Sequence, residues 1–265
     1  MVKPTAITLD EASEVSAYDV VSEQGLLGKS IDNVTVKRTI KANSWSTLVL
    51  PFDMNASEIK ANFGDDVALN TFTGFTPSEE IDSKNRPLSV SMDIMPYDIN
   101  GGIEANKTYF VKVSQPVSTI EVKEKTLKFD SNLQNTPTSV VFGTVAGQVA
   151  TATGFYSTGV IPSGAMFLAG NKFYYSIGAD KMKAFRSFIT LPFVLSGFTI
   201  PGEESSAAKV FSFFDHEETT AIQDVDANKA HDNNVYTLTG VWAGNDLSVV
   251  KPGLYIQNGK KVVVE

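Results

Sequence analysis

The histidines His216 and His231 are the side chains best suited by type to proton transfer near neutral pH. Both fall in "HEETTAIQDVDANKAHDNN", a run of acidic and small polar residues that reads as a linker. A catalytic triad needs a histidine held by an orienting partner and facing a nucleophile. A linker supplies neither, and two loop histidines do not build a zinc site. The adjacent carboxylates Asp65-Asp66 and Glu79-Glu80 point opposite ways on an extended chain, so neither pair flanks a glycosidic bond. "DVDANKAHD", Asp224–Asp232, opens like a calcium loop. It then places Lys229 where the loop needs glycine and Val235 where it needs glutamate, which rules out an EF-hand. No glycine-rich phosphate loop and no nucleophile elbow is present. The sequence is therefore read as non-catalytic, with no cofactor and no metal ligands.

Aromatic side chains are the remaining lead. Tyr97, Tyr156, Tyr174 and Tyr175 are candidate ligand-stacking residues, with Trp45, Phe155, Phe173 and Trp242 as further members of the set. "KFYYS" is the most suggestive stretch. On a strand, Tyr174 faces opposite to Phe173 and Tyr175, so one face can meet solvent. The competing reading is ordinary core packing.

Composition narrows the classes. The chain has 265 residues, enough for one large β domain or two smaller ones. A formal net charge of −8 opposes nucleic-acid binding, which needs a basic face, and docking on anionic membranes. The absence of cysteine excludes disulfides and thiolate chemistry. No apolar run approaches the roughly 20 residues of a membrane span. The opening "MVKPTAITLDEASEVSAYD" lacks the basic-then-apolar layout of a signal peptide. Either a cytoplasmic protein or a mature exported one fits, and the tail favours export with the signal removed.

The elements that must position any site are mostly strands. Residues 1–30 are expected to be an extended, partly ordered lead-in, in which "ITLDEASEVSAY" could form a short strand or a turn of helix. "NVTVKRTI" alternates, with Val34, Val36 and Arg38 on one face. "WSTLVLPFDM" follows, with Leu48, Leu50 and Phe52 on one face and Trp45, Thr47 and Val49 on the other. Its Leu-Pro-Phe returns in "FRSFITLPFVL", where Pro192, like Pro51, should end strand pairing. The two segments are read as matched, half-buried and neighbouring strands. "NASEIKANFG" carries a capping box, Asn55 with Glu58, and predicts one short helix over residues 56–63 that buries Ile59 and Phe63. Short strands between turns continue to about residue 215. The expected fold is all-β: a β-sandwich-like main domain over 31–215 with one short helix, an acidic linker over 216–234, and a small C-terminal β-hairpin unit over 235–265 turning at Asn258-Gly259.

That tail resembles the C-terminal sorting domains of exported proteins from Bacteroides-like bacteria. The match runs through Val235, Tyr236, Leu238 and Gly240, then Gly253–Ile256, then Gly259–Val264. It departs at Val241-Trp242, where the pattern has a basic residue. The main domain is similar to an exported module of the same bacteria in "TIKANSWSTLVLPFDM", "FGDDVALNTFTGF", "GGIEANKTYFVKV" and "MFLAGNKFYYSIGADKMKAFRSFITLP". These resemblances imply export to the cell surface and a role in adhesion, with an extracellular glycan or surface protein as partner and no nucleic acid or membrane insertion. A secreted carbohydrate-active enzyme and an architectural spacer are the alternatives.

Overall fold

The computed structural model describes residues 5–130 and 132–196, and in the tail 235–237, 242–244, 250, 252–257 and 260–264. The chain divides into two compact units, Met1–Asp215 and His216–Glu265. In chain order the first unit carries β1 (Ala6–Asp10), α1 (Ala17–Glu23), β2 (Ser30–Ile40), β3 (Ser46–Leu48), α2 (Ala56–Phe63), β4 (Ala68–Pro77), β5 (Val90–Pro96) and β6 (Tyr109–Lys112). It continues with β7 (Val117–Thr126), β8 (Thr138–Phe142), β9 (Val149–Gly154), β10 (Gly159–Val160), β11 (Met166–Ala169), β12 (Lys172–Tyr175), β13 (Lys181–Met182) and β14 (Ser187–Thr190). The architecture is all-β and sandwich-like, as the strand periodicity predicts.

Three main sheets form this unit, in the orders β1-β2-β7, β3-β6-β4-β5 and β12-β11-β14-β9-β8. The strands β10 and β13 add a two-stranded ribbon. Alternation along β2 holds: Ile31, Val34, Val36, Arg38 and Ile40 are buried, while Asp32, Lys37 and Thr39 are exposed. One core packs the first sheet against α2 and the Leu48–Phe52 run. A second lies between the four- and five-stranded sheets, where Phe72, Phe75, Met92 and Ile94 meet Ala152, Met166, Phe173 and Ile189. Phe110 meets Phe173 edge-on across it, with centroids 6.1 Å apart. A small third core gathers Phe155, Ile161, Met182 and Phe188.

The helix α2 has the predicted bounds. Asn55 Oδ1 accepts from Glu58 N at 3.0 Å and the Glu58 carboxylate accepts from Asn55 N at 2.9 Å, so both halves of the capping box are made. Ile59 and Phe63 are its buried residues. The partly ordered lead-in needs correcting, while the short strand or helix turn open to "ITLDEASEVSAY" is found. Residues 1–30 hold β1, which pairs in parallel with β2 from Ala6↔Asn33 to Asp10↔Lys37, and a second helix, α1, capped by Ser16 and burying Ala17 and Val21. Pairing with β2 buries Ile7 and Leu9, which an unpaired lead-in would leave wet.

The doubled Leu-Pro-Phe segments do lie side by side. Thr47 Oγ1 accepts from Ser187 N at 2.9 Å and donates to Ser187 O at 3.2 Å, and Val49 N donates to Phe185 O at 3.3 Å. A side-chain hydroxyl thus satisfies Ser187 where a ladder would otherwise run. The half-buried expectation fails for the first copy: Thr47, Leu48, Val49, Leu50 and Phe52 are all buried. The segment is covered by its own sheet on one side and by the β14 region on the other. Gly154 sits so close to Val49 that a Cβ there would lie 2.6 Å from Val49 Cγ1.

In the tail, β15 (Val235–Thr237), β16 (Trp242–Gly244), β17 (Gly253–Gln257) and β18 (Lys260–Val264) form one sheet in the order β16-β15-β17-β18. β17 and β18 pair antiparallel from Gly253↔Val264 to Gln257↔Lys260. The turn Asn258-Gly259, the linker 216–234 and both histidines lie outside the described residues.

Candidate functional site

The four tyrosines separate sharply by burial. Tyr156 and Tyr175 are only 1% and 4% exposed, so neither can stack on a ligand, and both expectations are corrected. Tyr156 faces inward because its ring packs edge-on against Phe129 and lies beside Phe185, while its hydroxyl donates to Asn106 Oδ1 at 2.7 Å. Burial raises its phenol well above the ordinary value. Tyr175 belongs to the core between the two larger sheets, and burial pushes its phenol up to about 12. Tyr97 is half-buried, but Tyr109 meets its ring at 5.3 Å and the Lys107 ammonium lies 5.8 Å from its centroid. The Tyr97 side chain is spent on local packing. The structure does not gather the four into one platform.

Tyr174 stands apart. It is half-buried and stacked on Phe167, with centroids 5.9 Å apart and planes at 28°. Register places both on the outer face of the five-stranded sheet, in one row: Tyr174, Phe167, Phe188, Thr153, Thr138. The neighbouring row carries Thr190, Thr151 and Val140, and the next Val149 and Phe142. Phe142 is 70% exposed and Val140 55% exposed, which is unusual for apolar residues on adjacent positions of one face.

A charged hub lies where β1, β2 and the approach to β14 meet. Glu11, 4% exposed, receives Lys183 Nζ at 3.1 Å, Thr39 N at 3.2 Å and Arg186 Nη1 at 2.8 Å, with Arg38 Nη1 at 3.6 Å. Burial pushes the Glu11 carboxyl up, but Arg186, Lys183 and Arg38 outweigh it and hold the group below its ordinary value. Arg38 is 1% exposed and donates to three carbonyls: Thr39 O, Thr47 O at 2.8 Å and Phe185 O at 3.4 Å. It therefore ties the two Leu-Pro-Phe segments together. Burial, with Arg186 beside it, lowers its guanidinium, and Glu11 opposes that shift. Sequence reasoning did not find the hub. Its one signal was Arg38 itself, in register with Val34 and Val36 on an apolar face.

Above the hub opens a cleft of about 350 Å³, walled by Trp45, Ser44 and Ser46, by Leu168–Gly170 of the β11–β12 hairpin, and by Lys41, Lys183 and Arg186. The hairpin turn has Gly170 and Asn171 both at positive φ, 56° and 65°, as a tight type I′ connection requires. Asn171 Oδ1 accepts from Trp45 N at 2.7 Å and from Ser44 Oγ at 3.3 Å, which fixes the hairpin to the cleft wall. A larger, open cleft of about 590 Å³ is lined by Asp53, Asn55, Asn100, Gly102, Lys125 and Lys128 among others. Its charges are matched internally: Lys128 pairs with Asp53, and Lys125 with Glu58 at 2.7 Å.

Asp65, Asp66, Glu79 and Glu80 are exposed and line neither cleft. Among the described residues, no three His, Cys, Asp or Glu side chains are grouped to hold a metal ion, and no helix is long and apolar enough to cross a membrane. Compared with known proteins, the chain matches no family model, no curated protein and no solved structure.

Proposed function

We propose that this chain is a non-catalytic binding module, exported and displayed at the cell surface, that takes glycan chains on the outer face of its five-stranded sheet. One observation carries the reading: the stacked Tyr174–Phe167 pair is in register, across Phe188 that the third core covers, with Thr153 and Thr138, and the rows beside them carry Thr190, Thr151 and the exposed Val140 and Phe142. Aromatic faces bind the apolar faces of sugar rings, and threonine hydroxyls both donate and accept; those of Thr138 and Thr153 bond each other at 3.1 Å, which leaves Thr151 and Thr190 for a ligand. The export part of the reading is supported by the resemblance of the tail to sorting domains. Carboxylates arranged as an acid and base about 5–10 Å apart would favour a glycosidase. The described carboxylates near either cleft are instead tied to cations, as Glu11 and Asp53 are.

The test is a glycan array probed with the full chain and with Tyr174→Ala. The reading expects binding that Tyr174→Ala weakens about tenfold, a typical cost for one stacking contact. Binding to no glycan, with Tyr174→Ala melting like the wild type, would leave the architectural spacer.

A further inference from the structure

We propose that the Trp45 cleft is a second binding site, specific for a carboxylate carried on a ring-sized ligand, the chemistry of a uronic-acid unit in an acidic glycan. The inference rests on the binding-module reading but on different residues.

Charge is the first argument. Lys41, Lys183 and Arg186 line the cleft and Arg38 lies directly behind it, against the single carboxylate of Glu11. Four cations facing one anion leave three positive charges in a chain whose formal net charge is −8. Asp10, the residue before Glu11, is half-buried and paired with Lys37 at 3.2 Å. It also acts on Lys183, more weakly than on Lys37, and counting Asp10 and Lys37 together leaves the excess unchanged. Lys41 is exposed and has no ion-pair or hydrogen-bond partner among the described residues.

Unused hydrogen-bonding capacity is the second. Arg186 Nη1 is buried and committed to Glu11 Oε2 at 2.8 Å, which leaves the Nε and Nη2 edge of a side chain that is 25% exposed. The guanidinium makes no other polar contact among the described residues. It has five N–H donors in a fixed fork, a shape that matches a carboxylate with two parallel bonds. The Ser46 hydroxyl, on the same cleft wall, makes no hydrogen bond among the described residues.

Strain is the third. Phe185, directly before Arg186, has φ of 61°, a conformation that a bulky residue adopts only when its surroundings impose it. It is held there by Phe155 O, which accepts from Phe185 N at 2.7 Å, and by Arg38 and Val49, which both donate to Phe185 O. The result turns Arg186 toward Glu11 and the cleft. The cleft volume of about 350 Å³ sits at the small end of ligand sites and suits one ring, with Trp45 as its apolar wall.

Calorimetry on the full chain tests this, with glucuronate, glucose and inorganic sulfate as titrants. Glucuronate is expected to bind saturably and more weakly as salt rises, while glucose gives no heat and sulfate binds at least about tenfold more weakly. Lys41→Glu should weaken glucuronate about tenfold while leaving the melting temperature unchanged, since Lys41 has no partner to lose. Arg186→Lys, which keeps the charge and loses the fork, should weaken it comparably. Tyr174→Ala should change nothing. The assignment is overturned if glucuronate does not bind, if glucose or sulfate binds as tightly, or if Lys41→Glu has no effect. Loss of glucuronate binding in Tyr174→Ala alone would also overturn it, and would move the ligand to the sheet face.

Discussion

At the scale of single residues, Glu11 and Arg38 matter most. Two charges at 6% and 1% side-chain exposure are costly to desolvate, and each is tolerable only because the other and its neighbours compensate. Glu11→Gln keeps the shape and removes the charge, leaving Arg38 and Arg186 uncompensated. It should cost roughly 3–5 kcal/mol at neutral pH by urea unfolding. Its pH dependence has a definite sign. The folded state holds the Glu11 carboxyl below its ordinary value of 4.5, so the ionised group contributes stability above about that pH. That contribution disappears as pH falls through the lower folded-state value. The gap between wild type and Glu11→Gln should therefore shrink in acid, and a gap that widens there would contradict the role assigned to Glu11. Arg38 was visible in the sequence as a charge in register with valines. Its function was not, because two of its acceptors, Thr47 O and Phe185 O, lie 9 and 147 residues away along the chain.

At the scale of elements, local signals translated well where the determinants were local. The α2 helix was legible because cap, stripe and stop all fall within ten residues, from Asn55 to Gly64. Asn55→Ala should cost about 1 kcal/mol in thermal or urea unfolding, and no change would deny the cap its role. A short strand was open to β1, but its pairing was not legible, because its partner begins some twenty residues later and across α1. The β3 segment was misread as half-buried because period-two alternation reports one covering layer, and here two are present. Its Thr47 hydroxyl is the test case. Thr47→Val keeps the shape but strands Ser187 N, and should cost about 1–3 kcal/mol in urea unfolding. Thr47→Ser, which restores the hydroxyl, should recover most of that loss. Of the aromatic candidates, alternation in "KFYYS" separated Tyr174 from Tyr175, while Tyr156 and Tyr97 were buried or covered by residues distant in sequence.

At the scale of the whole first unit, two large cores meet at the strands that carry Leu-Pro-Phe. Leu48 belongs to one core and Ile189 to the other, yet Thr47 and Ser187 beside them are bonded together. The cores should therefore unfold as one. Leu48→Ala and Ile189→Ala should each cost about 2–5 kcal/mol and shift the same calorimetric transition. Two transitions, each moved by only one variant, would contradict a joined unit. This joined scaffold is what holds the outer sheet face and the Trp45 cleft in place, since the β11–β12 hairpin borders both. The central claim is that ligands are bound there and not transformed. An NMR titration of the full chain with the glycans that bind on an array tests it most directly. The account predicts amide shifts concentrated on residues 166–175 and their neighbours in β14 and β9, with the ligand recovered unchanged. Shifts centred on the Asp53–Lys128 cleft, or a cleaved glycan, would contradict it.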